Sequence, residues 1–176
     1  MNENTSNNRI NGIMVDGVWN TDPTIIQNKA VEFFKERFKE QIGDQPTLVC
    51  PSIARLSDEE AKNLVTPFSL LGIKEAVWEC DGDKAPGPDG FNFRFMKRCW
   101  EGFQGDFLKF FQHFYNYESL NPGCTASFLA LIPKVKVPTG LVDFRPISLI
   151  GCINKVISKV LVKRLKRVIV KLVSDE

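Results

Sequence analysis

An α+β fold, predominantly helical with one small β-ribbon, follows from three observations on the 176-residue sequence. Apolar residues recur at helical spacing through most of its length, and two short apolar stretches between residues 127 and 147 switch to a strand-like pattern. A hydrophobic content of 43%, with 14 Phe, is enough to bury a core.

The elements follow in order. Residues 1–20, opening on the Asn-rich MNENTSNNRI, show no periodicity and are expected to be disordered or a linker. Residues 21–83 are expected to form an acidic helical segment. Its first helix runs from 22 to about 40, with Asp22 as N-cap, Pro23 in the first helical position, and Ile26, Ala30, Phe33, Phe34 and Phe38 on one face. Ser57 followed by Asp58, Glu59 and Glu60 is a capping box for a short helix that stops before Pro67. Ser69 caps a third helix through Trp78, with Leu70, Ile73, Ala76 and Val77 inward, although Gly72 costs about 1 kcal/mol there.

Residues 84–176 form the basic part. Residues 91 to about 117 read as two helices broken near Gly102 and Gly105, and Phe103, Phe107, Phe110, Phe111 and Phe114 are assigned to core rather than to base stacking. SFLALIPKVKV (127–137) and Leu141 to Ile147 read as two strands joined at PTG (138–140), a ribbon carrying Lys134, Lys136 and Arg145. The last segment, GCINKVISKVLVKRLKRVIVKLVSDE (151–176), is the clearest helix. Ile153, Val156, Ile157, Val160, Leu161, Leu165, Val168, Ile169 and Leu172 make its apolar stripe, and Lys155, Lys159, Lys163, Lys166 and Arg167 lie largely opposite.

Charge divides the chain at the same place. Residues 1–83 hold 8 Lys/Arg against 14 Asp/Glu, and residues 84–176 hold 15 against 7. The basic part therefore either meets a polyanion such as nucleic acid or pairs with the acidic part. No run approaches the roughly 20 apolar residues of a membrane span, and the opening has no secretory signal, so an intracellular protein of nucleus or cytoplasm with no membrane partner is expected. The 5 Cys are scattered and His113 is the single histidine, which argues against zinc sites and disulfides.

Between the two parts lies DGDKAPGPDG (81–90). Asp81, Asp83 and Asp89 lack the spacing of a calcium loop, so no metal is assigned. Pro86, Gly87, Pro88, Asp89 and Gly90 build a stiff double turn beside Lys84, which suits a phosphate or simply joins two helices.

KAPGPDGF (84–91), LIPK (131–134) and FRPISL (144–149), in this order, resemble the start of the reverse transcriptase domain of non-LTR (LINE-type) retrotransposons, in particular the plant type. VTPFS (65–69), IKEAVWECDGDKAPGPDG (73–90) and INKVISKVLVKRLK (153–166) extend the resemblance over most of the chain, and SLLGIKEA (69–76) departs from it by lacking acidic residues before IKEA. The resemblance implies a partial right-hand polymerase, the N-terminal extension plus fingers. It implies that Lys84 lies near template RNA, and that Lys134 and Arg145 approach the template and the triphosphate of the incoming nucleotide. Pro146, without an N–H, is expected at a strand end or edge.

Two-metal polymerase chemistry needs palm aspartates. After position 118 only Asp143 precedes Asp175 and Glu176, and it sits beside the finger motif. The expectation is thus a truncated RNA-directed DNA polymerase, palm absent, with no catalytic or metal-ligating residue of its own. In the intact parent enzyme, Mg²⁺ would be the cofactor, with RNA template and DNA primer as partners. The alternatives are an RNA- or DNA-binding module and a non-functional retrotransposon remnant.

Overall fold

The computed structural model describes residues 10–39 and 55–173, and about 56% of these are helical. They divide into two compact units that interleave along the chain.

One unit holds β1 (Ile13–Val15), β2 (Val18–Asn20), α1 (Pro23–Arg37) and the stretch Leu129–Ser148. Residues 13–20, expected as linker, are an antiparallel hairpin pairing Ile13 with Asn20 and Val15 with Val18. Its turn is Asp16-Gly17, both at positive φ (51° and 82°), the dipeptide that a two-residue hairpin loop favours. Asp22 caps α1 by accepting from the Thr24 N–H at 2.7 Å, with Pro23 following as expected. Ile26 and Phe34 are buried, while Phe38, placed on the same face by periodicity, lies beyond the helix and is exposed. The core is small: Ile13, Ile26 and Phe144, flanked by Ile10, Val15, Leu131 and Leu141.

β3 (Ser127–Pro133) and β4 (Phe144–Ile150) pair as a two-stranded sheet, the expected ribbon. The second strand starts later than the pattern suggested. Leu141–Asp143 is a 3-10 turn, because the Asp143 carboxylate accepts from the N–H groups of Thr139 (2.9 Å) and Gly140 (3.0 Å) and curls the chain before pairing begins. Those bonds hold the Asp143 carboxyl below its usual range.

The other unit contains α2 (Asp58–Leu64), α3 (Leu70–Trp78), α4 (Phe93–Arg98), α5 (Trp100–Tyr117), the single turn α6 (Pro122–Thr125) and α7 (Cys152–Leu172). The Ser57/Glu60 capping box is present with both arms closed, and Ser69 caps α3 through the Gly72 N–H at 3.1 Å. α3 packs against α4, α5 and α7. Ile73, Ala76, Val77, Trp100, Phe107, Phe111, Val156 and Ile157 form the centre of this core. Phe103, Phe110 and Phe114 pack against it, so the Phe run of α5 is core.

The break between α4 and α5 falls at Cys99, not at Gly102 or Gly105. Those two glycines sit inside α5 where a methyl group would meet nothing, so the helix tolerates them at about 1 kcal/mol each. The apolar stripe of α7 is only partly covered, with Val168 buried in its second half. Val156, Ile157 and Val160 are buried, but Leu165 and Ile169 are 50% and 42% exposed. Among the described residues no helix is long and apolar enough to cross a membrane.

Candidate nucleic-acid interface

The candidate residues fall in both units. Lys84, Lys155, Lys159 and Lys163 belong to the helical unit; Lys134, Lys136, Arg145 and Pro146 belong to the one holding the ribbon.

In the helical unit the Pro/Gly loop joins α3 to α4, but it also does something its local sequence does not announce. Gly87 is buried against the backbone entering α7, where an added Cβ would lie 2.6 Å from the Gly151 nitrogen and collide with the Ile150 carbonyl. Gly90 takes φ +73°, which turns the chain so that Asp89 faces back. The Asp89 carboxylate accepts from the Cys152 N–H, at the first position of α7, where orphan helix donors and the positive end of the dipole favour an anion. Gly151, the N-cap residue, has no side chain to do this. Cys152 completes the clasp by donating its thiol to the Phe91 carbonyl at 3.0 Å. Burial, with the Asp89 charge adding to it, pushes that thiol up to about 11. Burial also raises the Cys80 thiol despite Lys159, Lys97 and Lys155 nearby.

The loop carboxylates are each committed to protein partners. Asp81 accepts from the Asp83 N–H at 3.0 Å, which lowers its pKa, and lies 3.6 Å from the Lys84 ammonium; Asp83 pairs with Arg94; Asp89 holds α7. Among the described residues no group of three His, Cys, Asp or Glu is placed to hold a metal.

Four cations of α7 are likewise engaged. Lys163 bridges Glu75 (2.9 Å) and Glu79 (2.7 Å), and Lys159 lies 3.5 Å from Glu79. The Lys163 ammonium donates to both carboxylates, which lowers Glu79 and raises Lys163. Lys171 pairs with Glu60 at 2.8 Å; this bond, with the N–H and hydroxyl of Ser57, lowers Glu60 to about 2. Arg164 donates to the carbonyls of Leu64 and Pro67, both at 3.0 Å, and lies over the Phe68 ring. The basic helix thus meets the acidic helices α2 and α3 of its own chain, one of the two outcomes the charge split allowed. Lys155 is half-buried near Cys80 and Cys152.

On the ribbon the situation differs. Lys134 leaves β3 and donates to the Val142 carbonyl at 2.7 Å, beside Asp143. Lys136 in the connection and Arg145 on β4 are exposed, next to exposed Pro146 and Ile147. Phe144, their neighbour on the opposite face, is buried, so the alternation of β4 aims Arg145 outward. An exposed guanidinium can take phosphate oxygens by a two-pronged fork, and an exposed ammonium as a point charge.

No protein-family model matches the chain. It is 25% identical over 163 residues to the Transposon TX1 uncharacterized 149 kDa protein of Xenopus laevis, a match that covers 92% of this chain and 12% of that protein. The chain therefore spans a small part of the relative's length.

Proposed function

We propose that this chain is a retrotransposon-derived segment of a plant-type, LINE-type RNA-directed DNA polymerase, the N-terminal extension and fingers, which binds template RNA and nucleotide phosphates and does not polymerise by itself. The observation that carries this reading is the similarity to a transposon protein along 92% of the chain. The blocks KAPGPDGF, LIPK and FRPISL supply its finer part by their resemblance to reverse transcriptase segments.

The side chains favour the ribbon as the phosphate-facing element. Lys136 and Arg145 are exposed there, whereas Lys159 and Lys163 already neutralise Glu75 and Glu79. Lys134 reinforces the connection through the Val142 carbonyl and adds its positive charge beside the ribbon. Lys84, 73% exposed in its side chain, is loosely paired with Asp81 and adds a cation at the Pro/Gly loop. The family's Mg²⁺ would be held by palm aspartates of the parent enzyme, and no residue described above takes that role.

Single-stranded RNA binding, followed by fluorescence polarisation over a salt series, tests the reading. About 3–5 phosphate contacts, each weighted about 0.7, give a log–log slope of roughly −2 to −4. Replacing Lys134 and Arg145 by Ala should bring the slope toward zero by about one to two. RNA binding that is absent at low ionic strength, or indifferent to both substitutions, refutes it.

A further inference from the structure

A concave site of about 160 Å³ lies within the helical unit between the start of α3 and the middle of α7. Asn63, Thr66 and Ser69 supply polar groups, Gly72 opens space in the first turn of α3, and Lys163, Arg164 and Arg167 project from α7. Three cations thus line this cavity against one carboxylate, Glu75, which is already bonded to Lys163.

The two arginines have no such compensation. Arg164 uses two of its N–H donors on the carbonyls of Leu64 and Pro67 and stacks 4.1 Å from the Phe68 centroid, so its planar cation is fixed in place and partly dehydrated. Carbonyls satisfy its hydrogens without cancelling its charge. Among the described residues no carboxylate pairs with Arg164 or Arg167. Burial chiefly, and the nearby Arg167 charge second, depress the Arg164 pKa. The positive end of the α3 dipole adds to the same field.

From this cavity and its uncompensated guanidiniums we infer that the helical unit carries an anion site for a tetrahedral phosphate group, with Arg167 as its mobile clamp and Arg164 as its fixed floor. Phosphate suits the site because a dianionic or diester phosphate offers several acceptor oxygens to a fork-shaped donor. Ser69 and Thr66 line its remaining side, the Thr66 hydroxyl donating to the Asn63 carbonyl. The group can come from a nucleic-acid backbone or from free phosphate, and the two share one chemistry at this site.

The test uses the full chain, with inorganic phosphate in titration calorimetry and a short single-stranded oligouridine in fluorescence polarisation. Arg167→Gln is compared with Lys166→Gln, which removes the same charge from the adjacent position of α7 outside the cavity. Arg167 is exposed, so the substitution should leave the melting curve unchanged. Arg167→Gln is expected to weaken phosphate binding about fivefold, and Lys166→Gln by less than about twofold. The same contrast with oligouridine, together with its displacement by phosphate, identifies a nucleic-acid backbone as the source; contrast with phosphate alone identifies the free ion. Equal losses in the two variants for both probes, or binding of neither, overturn the site. RNA binding that stays intact without any contrast removes this site while leaving the ribbon reading standing, and phosphate selectivity without RNA binding does the reverse.

Discussion

The two units spend the same residue types in opposite ways. In the helical unit Lys159, Lys163 and Lys171 close onto Glu79, Glu75 and Glu60 over a core in which Phe111, Ile73 and Val156 are fully buried. In the other unit a small cluster of Ile13, Ile26 and Phe144 makes the core among the described residues, and Lys136 and Arg145 stand exposed in the ribbon and its connection. A run of lysines in a sequence therefore says little about its partner until the acids that could meet it are located. Here Lys159, Lys163 and Lys171 of the most basic helix are neutralised by the chain's own acids, whereas Lys136 and Arg145 of the ribbon, like Arg164 and Arg167 of that helix, pair with no carboxylate among the described residues.

The largest expected effect tests the depth of the two cores. Phe111→Ala removes a ring at 0% exposure that packs on Phe68 and Phe110, and should cost about 3–5 kcal/mol. Phe144→Ala in the thin core should fall at or below about 3 kcal/mol, because surrounding chain can collapse into the space. Urea denaturation followed by tryptophan fluorescence separates them, since Trp19 reports on one unit and Trp78 and Trp100 on the other. Equal costs would erase the contrast.

A smaller effect tests how the helical unit is fastened. Gly87→Ala forces a methyl into the backbone at Ile150 and Gly151, which cannot retreat without moving the start of α7, and should cost about 1–3 kcal/mol. Asp89→Ala removes the acceptor of the Cys152 N–H and should cost about 1 kcal/mol, as a lost helix cap does, while Asp89→Asn keeps an acceptor oxygen and should cost less. Amide exchange at Cys152 reads the same event directly. Unchanged protection in Asp89→Ala would mean that the clasp is incidental.

Local chemistry made several elements legible and long-range chemistry hid others. Asp22-Pro23, the Ser57 box and Ser69 each announced a helix start, because capping is decided within about four residues. Asp16-Gly17 between IMV and VWN carried an equally local hairpin signal, which the polar opening of the chain obscured. The link from Asp89 to Cys152 spans 63 residues and has no local trace. The Pro/Gly motif therefore read as shape alone, and its role as the missing cap of α7 emerged only from packing. The pairing of α7 with α2 and α3 was legible as a charge imbalance but not as contacts, since either a polyanion or the acidic helices could answer it. The cavity beside Arg164 and Arg167 drew together residues from 63 to 167, and no spacing in the sequence marks it.

The smallest expected effect concerns the ion pairs that distinguish the helical unit. Glu60, lowered to about 2 in the folded chain by Lys171 and Ser57, and Glu79, lowered by Lys163, both have folded values below the ordinary 4.5. A carboxyl of this kind contributes its stability in full above the unfolded value and loses it as pH falls through the folded one. The helical unit should thus weaken progressively from about pH 5 toward pH 2. Glu60→Gln keeps a hydrogen-bonding side chain but cannot titrate, so its melting temperature should start lower at pH 6 and fall less on acidification than that of the parent chain. Asp143, lowered by the Thr139 and Gly140 N–H groups, titrates in the same direction in the other unit. Its loss should loosen the turn before β4 without touching α7, so a probe at Trp100 must show the Glu60 effect while one at Trp19 does not. Identical acid profiles for the parent chain and Glu60→Gln at Trp100 would show that the Lys171 pair is held in place by packing alone, and would move the basis of the contrast from charge to the buried core.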